Sequence, residues 1–256
     1  MLNENSTLDL PLLKRLVDGT DTAAVIRQYI PQELAVLLGE KILGKGFSRY
    51  INAPSIGRIG MAFYETERKR GLMEKYFDDA VRGIHELREK CAPYLSPMDT
   101  LRCMLDELWP VGANLASLYG RKMHVGLSRI VEPGIHFLAH HDILEKDAPG
   151  TEEARSLRAQ LACNIYLKMP DEGGALQIWD RFLTPDEFDG IRGDCYGIHP
   201  DVLGHPDVEV RPEPGDLIIF DSTRMHAVTP GRHQSRLSLS CFIGYRGPTA
   251  PLVVWS

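Results

Sequence analysis

The chain has 256 residues, with 29 Lys and Arg against 35 Asp and Glu and a net charge of -6, so no strongly basic surface exists for phosphate backbones and nucleic acid is excluded as a main partner. Hydrophobic residues at 43% and charged residues at 25% exclude disordered and fibrous classes, and the length is enough to bury a full core. The longest apolar runs, Leu217 to Phe220 and Leu34 to Leu38, fall far short of the ~20 residues that span a bilayer.

In chain order, the first half reads as helical. Apolar residues recur at helical spacing over Asp9 to Val17, over Asp21 to Ile30 behind Thr20 and Asp21 as caps, and over Gln32 to Leu43 between Pro31 and the glycines Gly44 and Gly46. Arg58 to Tyr64 alternates as a strand does. Glu67 to Cys91 and Pro97 to Leu108 again read as amphipathic helices. Beyond about Lys122 the texture changes to short strands separated by Gly, Pro and Asp turns: His124 to Val131, Gln160 to Lys168, Ala175 to Asp180, Val208 to Arg211, Asp216 to Asp221 and Arg236 to Tyr245. Thr184 to Pro206 reads as a long loop, of the kind that carries function. The expected class is α+β: a helical portion, residues 1–121, packs on a sandwich or jelly roll, residues 122–256, as one structural unit. The start of the chain has neither a basic n-region nor an apolar h-region, which leads to a cytoplasmic expectation. Five widely spaced cysteines without a CxxC read as reduced thiols.

Chemistry concentrates in the second half. In an extended strand residues i and i+2 point the same way, so His140 and Asp142 share a face while His141 points to the other as a packed residue. His226, after the apolar strand Leu217 to Phe220, is the candidate third ligand. Two histidines and one carboxylate on one side of a metal leave open positions, the arrangement of non-haem Fe(II) oxygenases. Ten residues on, Arg236 and Ser238 share a face by the same period and offer a guanidinium fork and a hydroxyl to a carboxylate. In isolation, the same Arg also fits a strand edge paired to a surface acid.

Taken together, His140-x-Asp142, Asn164-Ile-Tyr166-Leu, Gly173-Gly174-Ala-Leu176-x-Ile-Trp179, Pro214-Gly215-Asp216, His226-x-Val-x-Pro230 and Arg236-x-Ser238 resemble, in order and spacing, the Fe(II)/2-oxoglutarate-dependent dioxygenases of the prolyl-hydroxylase-like kind. Within them, Phe-Leu-Ala-His140-His-Asp142 and the stretch around Gln177 to Asp180, behind a helical front half, look most like small bacterial enzymes that oxidise free amino acids. The resemblance implies a double-stranded β-helix, with Fe(II), 2-oxoglutarate and O2 as cofactor and cosubstrates. It implies His140, Asp142 and His226 as metal ligands. It also puts the distal carboxylate of 2-oxoglutarate on Arg236 and Ser238, supported by Asn164 or Tyr166. Halogenases of that subgroup replace the metal carboxylate by Gly or Ala, so Asp142 points away from chlorination and toward hydroxylation, desaturation or ring closure. His136, Arg129, Glu132 and Trp179 are the candidate substrate residues, with Arg129 and Glu132 also read as a possible internal salt bridge and Trp179 as possible core. Arg58 to Glu65 is a candidate pocket wall. The expected substrate is an amino acid or similar small polar metabolite. A carrier-bound or peptide substrate, and a cupin-like metal protein without oxygenase activity, are the alternatives. The amphipathic front helices allow a homodimer, or simply pack on the barrel of a monomer.

Overall fold

Two long strands set the layers. Residues Ala159–Lys168 and Arg236–Tyr245 pair antiparallel along nearly their whole length, and both are covered on both faces. On one face Leu161, Cys163, Ile165 and Leu167 join Leu237, Leu239, Cys241 and Ile243 in a core against the helices. On the other, Ala162, Tyr166 and Phe242 pack between two sheets, and Asn164, Arg236, Ser238 and Ser240 share that inner face by the period-two alternation of strands.

The computed structural model describes residues 1–5, 7–44 and 46–256. In chain order the elements are β1 (Leu2–Asn5), α1 (Leu10–Val17), β2 (Ala23–Ile26), α2 (Gln32–Leu43), β3 (Ser48–Arg49), β4 (Ile56–Ile59), a 3-10 turn (Phe63–Thr66), α3 (Arg70–Cys91) and α4 (Pro97–Leu108). There follow β5 (Ala113–Leu115), β6 (Ser117–Leu118), β7 (Arg121–Lys122), β8 (Leu127–Val131), β9 (Phe137–His140), α5 (Leu144–Asp147), α6 (Glu152–Arg155), β10 (Ala159–Lys168) and β11 (Leu176–Ile178). The chain closes with α7 (Pro185–Arg192), α8 (Pro200–Leu203), β12 (Val208–Val210), β13 (Leu217–Asp221), β14 (His226–Val228), β15 (Arg236–Tyr245) and β16 (Leu252–Trp255).

The major sheet runs β1-β2-β13-β10-β15-β8-β4-β3, with β16 beside the second half of β15 and β5 beside β16. The minor sheet runs β12-β11-β14-β9. Helices α1 to α4 cover the outer face of the major sheet, and the two sheets enclose the inner core of a double-stranded β-helix. Among the described residues no helix is long and apolar enough to cross a membrane, and all five cysteines are free thiols.

The front half contributes more strand than its periodicity suggests. The helix expected over Asp21 to Ile30 is instead β2, parallel to β1 and antiparallel to β13, with all four side chains buried. A short run buried on both faces has no alternation to separate it from a helical turn, so pairing partners decide. The strand expected over Arg58 to Tyr64 ends at Ile59. Gly60 turns the chain at φ +90 beside the His124 ring, where a Cβ would lie 2.7 Å from Nε2, and the 3-10 turn follows. Helix α3 begins at Arg70 rather than Glu67 because Glu67 and Arg68 have φ of 45 and 60. Within Thr184 to Pro206, expected as loop, α7 is nucleated by Thr184 and Glu187, whose side chains reciprocally cap its first turn.

Glu65 holds the turn in place. Its side chain is fully buried and accepts hydrogen bonds from the N–H groups of Ile51 (3.2 Å) and Ala62 (2.9 Å) and from Arg58 Nε (2.7 Å). Removing it deprives three donors of their acceptor, the buried Ala62 N–H and the charged Arg58 among them. Glu65→Ala is expected to destabilise the protein by about 3–5 kcal/mol in urea denaturation, whereas Val202→Ala, at a side chain 62% exposed, shifts it by less than about 0.5 kcal/mol. Equal midpoints for the two variants would remove Glu65 from this role.

Candidate metal centre and cosubstrate pocket

The minor sheet brings two histidines together. His140 ends β9, His226 opens β14, and the two are directly opposed across the antiparallel pair, with ring centroids 4.3 Å apart. Each Nδ1 donates to its own chain two residues back, to Leu138 O at 2.8 Å and to Arg224 O at 2.9 Å. That bond orients each ring and leaves Nε2 free to coordinate.

Asp142 leaves the strand two residues later, held through its backbone. Its N–H donates to Ser222 O (2.8 Å), and its carbonyl accepts from Gln160 Nε2 (3.0 Å) and Ser222 Oγ (3.2 Å). Asp142 Oδ2 then lies 3.4 Å from His226 Nε2 and 4.0 Å from His140 Nε2, and the candidate ligand atoms of the three residues all fall within 4.8 Å of one another.

Electrostatics suit a cation. Burial, and next the neighbouring His226, lower His140 to about 3, so its imidazole is neutral. Burial acts to raise the Asp142 carboxyl, but His226, His140 and Arg129 outweigh it and keep the group ionised, well below the usual carboxylate range. Asp142 Oδ2 and His226 Nε2 are buried without a hydrogen-bond partner, a state that a shared metal ion resolves. Two imidazoles and one carboxylate on one side leave the cavity side open for exchangeable ligands.

On the inner face of the major sheet sits a set of residues that seeks an anion. Arg236 is 4% exposed. It donates to the Tyr166 hydroxyl at 3.1 Å and lies 4.8 Å from the Tyr166 ring centroid. Its Nε and the Ser238 hydroxyl are buried without partners, and among the described residues no carboxylate pairs with it. A buried guanidinium in that state calls for an anion from outside the chain. Tyr166 and Ser238 are cross-strand partners, and Asn164 lies two residues further along the same face. The residues present therefore fit both a divalent metal and a carboxylate-bearing cosubstrate.

A cavity of about 480 Å³ opens beside the cluster, touching His140, His141 and Asp142. Tyr50 and Tyr64, stacked at 5.7 Å, form one wall. Burial raises both phenols, and the neighbouring Tyr50 raises Tyr64 further, so each remains a neutral hydroxyl. Helix α7 and the following loop form another wall, tied to β9 by the Tyr196 hydroxyl, which accepts from Leu138 N (2.8 Å) and donates to His136 O (3.2 Å).

The four candidate substrate residues fall in different places. Arg129 is buried on the inner face, donating from Nε to the Tyr50 hydroxyl at 3.2 Å. It does not pair with Glu132, because residues three apart on a strand face opposite ways; Glu132 instead bonds Arg49 at the surface. His136 is exposed against the His199 ring, 5.4 Å away, and is not part of the cavity wall. Trp179 is core: it packs with Ala139, Leu183 and Phe188 and donates from Nε1 to Gly204 O at 2.9 Å. His141, expected to turn away, lies along the cavity against Phe188, with ring centroids 4.6 Å apart. Tyr50, Arg68 and Asp147 line the cavity without having been signalled by any motif; only Tyr64 fell within a segment read as a wall.

Comparison with known proteins points to one family. The model of the 2OG-Fe(II) oxygenase superfamily matches residues 125–244. The L-gamma-glutamyl-L-propargylglycine hydroxylase of Streptantibioticus cattleyicolor is 32% identical, the alignment covering 93% of this chain and 96% of the relative. Leucinostatins biosynthesis cluster protein S of Purpureocillium lilacinum is 29% identical over 79% of this chain and 86% of its own. The crystal structure of an N-substituted L-amino acid dioxygenase from Burkholderia ambifaria AMMD superposes with a TM-score of 0.69 at 15% identity, covering 96% of this chain and 91% of that one, a likeness of fold.

If the orphaned atoms mark these two sites, anaerobic Fe(II) followed by 2-oxoglutarate produces a visible metal-to-ligand charge-transfer band in the wild type and none in His226→Ala. Arg236→Ala needs at least about thirtyfold more 2-oxoglutarate for half-development, the effect of losing about 2 kcal/mol of charge pairing. An unchanged midpoint in Arg236→Ala would place the cosubstrate carboxylate elsewhere.

Proposed function

The chain belongs to the 2OG-Fe(II) oxygenase superfamily, and on that premise we propose that it hydroxylates an unactivated C–H bond of an amino acid, free or carried as its γ-glutamyl derivative. The observation that carries this reading is the convergence of His140, Asp142 and His226 beside a cavity that His140 and Asp142 line, together with the buried, unpartnered Arg236 Nε and Ser238 hydroxyl on the inner face of the major sheet.

In this reading His140, Asp142 and His226 hold the metal and Arg236, Ser238 and the Tyr166 hydroxyl hold the distal carboxylate of 2-oxoglutarate, with Asn164 further along the same face. When bound, Fe(II) with 2-oxoglutarate and O2 supplies the oxidising power for C–H hydroxylation, and succinate and CO2 leave. The protein's part is positioning and exclusion of water. Gln160 and Ser222 fix the backbone of Asp142, so its carboxylate starts from a set position with Oδ2 beside His226 Nε2. Arg129 keeps its charge, because Tyr50, Tyr64 and Asp142 outweigh the effect of burial, and through Tyr50 it steadies the aromatic wall over the cluster. Asp142 fills the position that a halide needs, so hydroxylation rather than chlorination follows. The γ-glutamyl form enters through the relative from Streptantibioticus cattleyicolor, whose name specifies such a substrate.

Incubating Fe(II)-loaded protein with 2-oxoglutarate, O2, chloride and either L-γ-glutamyl-L-propargylglycine or a panel of free amino acids should give succinate matched by a product heavier by one oxygen atom. No chlorinated product is expected. Asp142→Ala lowers turnover about a hundredfold or more, at least the effect of losing an outer-shell partner. Turnover retained by Asp142→Ala, or succinate without an oxidised product for every amino acid and γ-glutamyl derivative tried, would overturn the assignment.

A further inference from the structure

The cavity wall also carries a guanidinium and a carboxyl, Arg68 and Asp147, that the oxidation chemistry leaves unused. Arg68 follows the 3-10 turn pinned by Glu65. It and Glu67 adopt left-handed backbone conformations, which side chains bearing a Cβ hold only where their surroundings impose them. Asp147 closes the short helix α5, five residues beyond Asp142. Both line the cavity.

Neither group is neutralised by the protein. Among the described residues no hydrogen bond or ion pair reaches Arg68 or Asp147, although each lies within the other's electrostatic field. The other cationic groups of the wall are engaged. Lys146 lies 3.5 Å from Asp189 and 4.5 Å from the centroid of the Phe188 ring, and Arg192 is bound to Asp189 at 2.7 Å and to Cys195 O at 2.6 Å. Burial, and next Asp142, push Asp147 up to about 7 against the opposing pull of Lys146 and Arg68, the behaviour of a carboxyl that lacks a close cation. On the same cavity lies His141, 6% exposed, with both ring nitrogens buried and unpartnered.

We propose that Arg68 and Asp147 form a clamp for a zwitterionic α-amino-acid head group, Arg68 taking its carboxylate and Asp147 its ammonium, with His141 hydrogen-bonding the substrate between clamp and metal. A carboxylate and an ammonium on one carbon match a guanidinium and a carboxyl that face one cavity without a hydrogen bond or ion pair between them, and an ammonium arriving beside Asp147 favours its ionised form. The guanidinium fork suits the carboxylate and the recessed carboxyl suits the ammonium. Size admits a γ-glutamyl amino acid as well as a free one. At roughly 30 Å³ for each water-sized group, a cavity of about 480 Å³ has room for a dipeptide-sized ligand, whose glutamyl end occupies the clamp while the second side chain reaches the metal. The inference rests on the proposed function and names the residues that set its specificity.

Binding is measured anaerobically on the Fe(II) and 2-oxoglutarate complex, through the perturbation of its charge-transfer band by four probes. These are L-γ-glutamyl-L-propargylglycine, its glutaryl analogue lacking the ammonium, its 4-aminobutyryl analogue lacking the carboxylate, and L-propargylglycine. For the wild type, the parent dipeptide should bind at least tenfold tighter than each of the other three. Arg68→Gln should weaken the parent and the glutaryl analogue about tenfold and leave the aminobutyryl analogue unchanged. Asp147→Asn should weaken the parent and the aminobutyryl analogue and leave the glutaryl analogue unchanged. This crossed pattern is one that general damage to the cavity does not produce. If free propargylglycine binds as tightly as the dipeptide and both variants weaken it, the clamp stands with the free amino acid as its ligand. Absence of the band in the wild type would defeat the oxygenase reading itself. A normal band with no probe bound, or with both variants matching the wild type on every probe, would defeat the clamp alone.

Discussion

A strand covered on both faces must satisfy two environments with one alternating sequence, and β10 and β15 carry that constraint for the whole molecule. Their outward residues are uniformly apolar and give the helices a surface to pack on. Their inward residues are therefore the places where polarity can be introduced without breaking the layer. Asn164, Tyr166, Arg236, Ser238 and Ser240 all occupy that face. A guanidinium buried there is tolerable because it has an aromatic ring beneath it and a hydroxyl beside it, and because a bound carboxylate would complete its partners.

The two sheets are joined at the candidate metal site by a polar bridge rather than by apolar packing alone. Gln160 belongs to the major sheet, yet its amide donates to the Asp142 carbonyl and accepts from Leu144 N at 2.9 Å. It fixes the turn that carries the carboxylate beyond the end of β9. The histidines come from the minor sheet, where cross-strand pairing alone places them face to face. Each hydrogen bond of this bridge contributes only about 1 kcal/mol to stability, so its larger effect is on geometry: carboxylate and imidazoles meet at one point although they belong to segments that move with different layers.

The remaining walls are assembled from segments that share no periodicity. The turn ending in Glu67 and Arg68 costs about 1–3 kcal/mol for each left-handed side chain, offset by the three hydrogen bonds that Glu65 accepts beneath it. Helix α7 and its loop approach β9 closely enough that a Cβ at Gly197 would lie 2.8 Å from Ala139 O. The neighbouring Tyr196 lines the cavity.

Much of the jelly-roll half was legible in the order of residues. Six of its strands announce themselves through alternation and turn residues, and the pair Arg236 with Ser238 follows from the period of two, a property of the backbone that needs no partner to be known, whereas Asp142 meets His140 from beyond the end of β9, where Gln160 and Ser222 hold it. The front half was less legible. Ala23–Ile26 has the composition of either a strand or a helical turn, and only the presence of β1 and β13 on its two sides decides between them. The same holds for the cavity. Arg68 and Asp147 stand in no motif, and Glu132 and Trp179 look as suitable as they do. What separates them is the face each backbone segment turns inward and the neighbour each side chain meets. Those are settled by contacts between residues far apart in the chain, so local pattern determines the elements and their polarity, and tertiary packing alone determines which polar groups share a cavity.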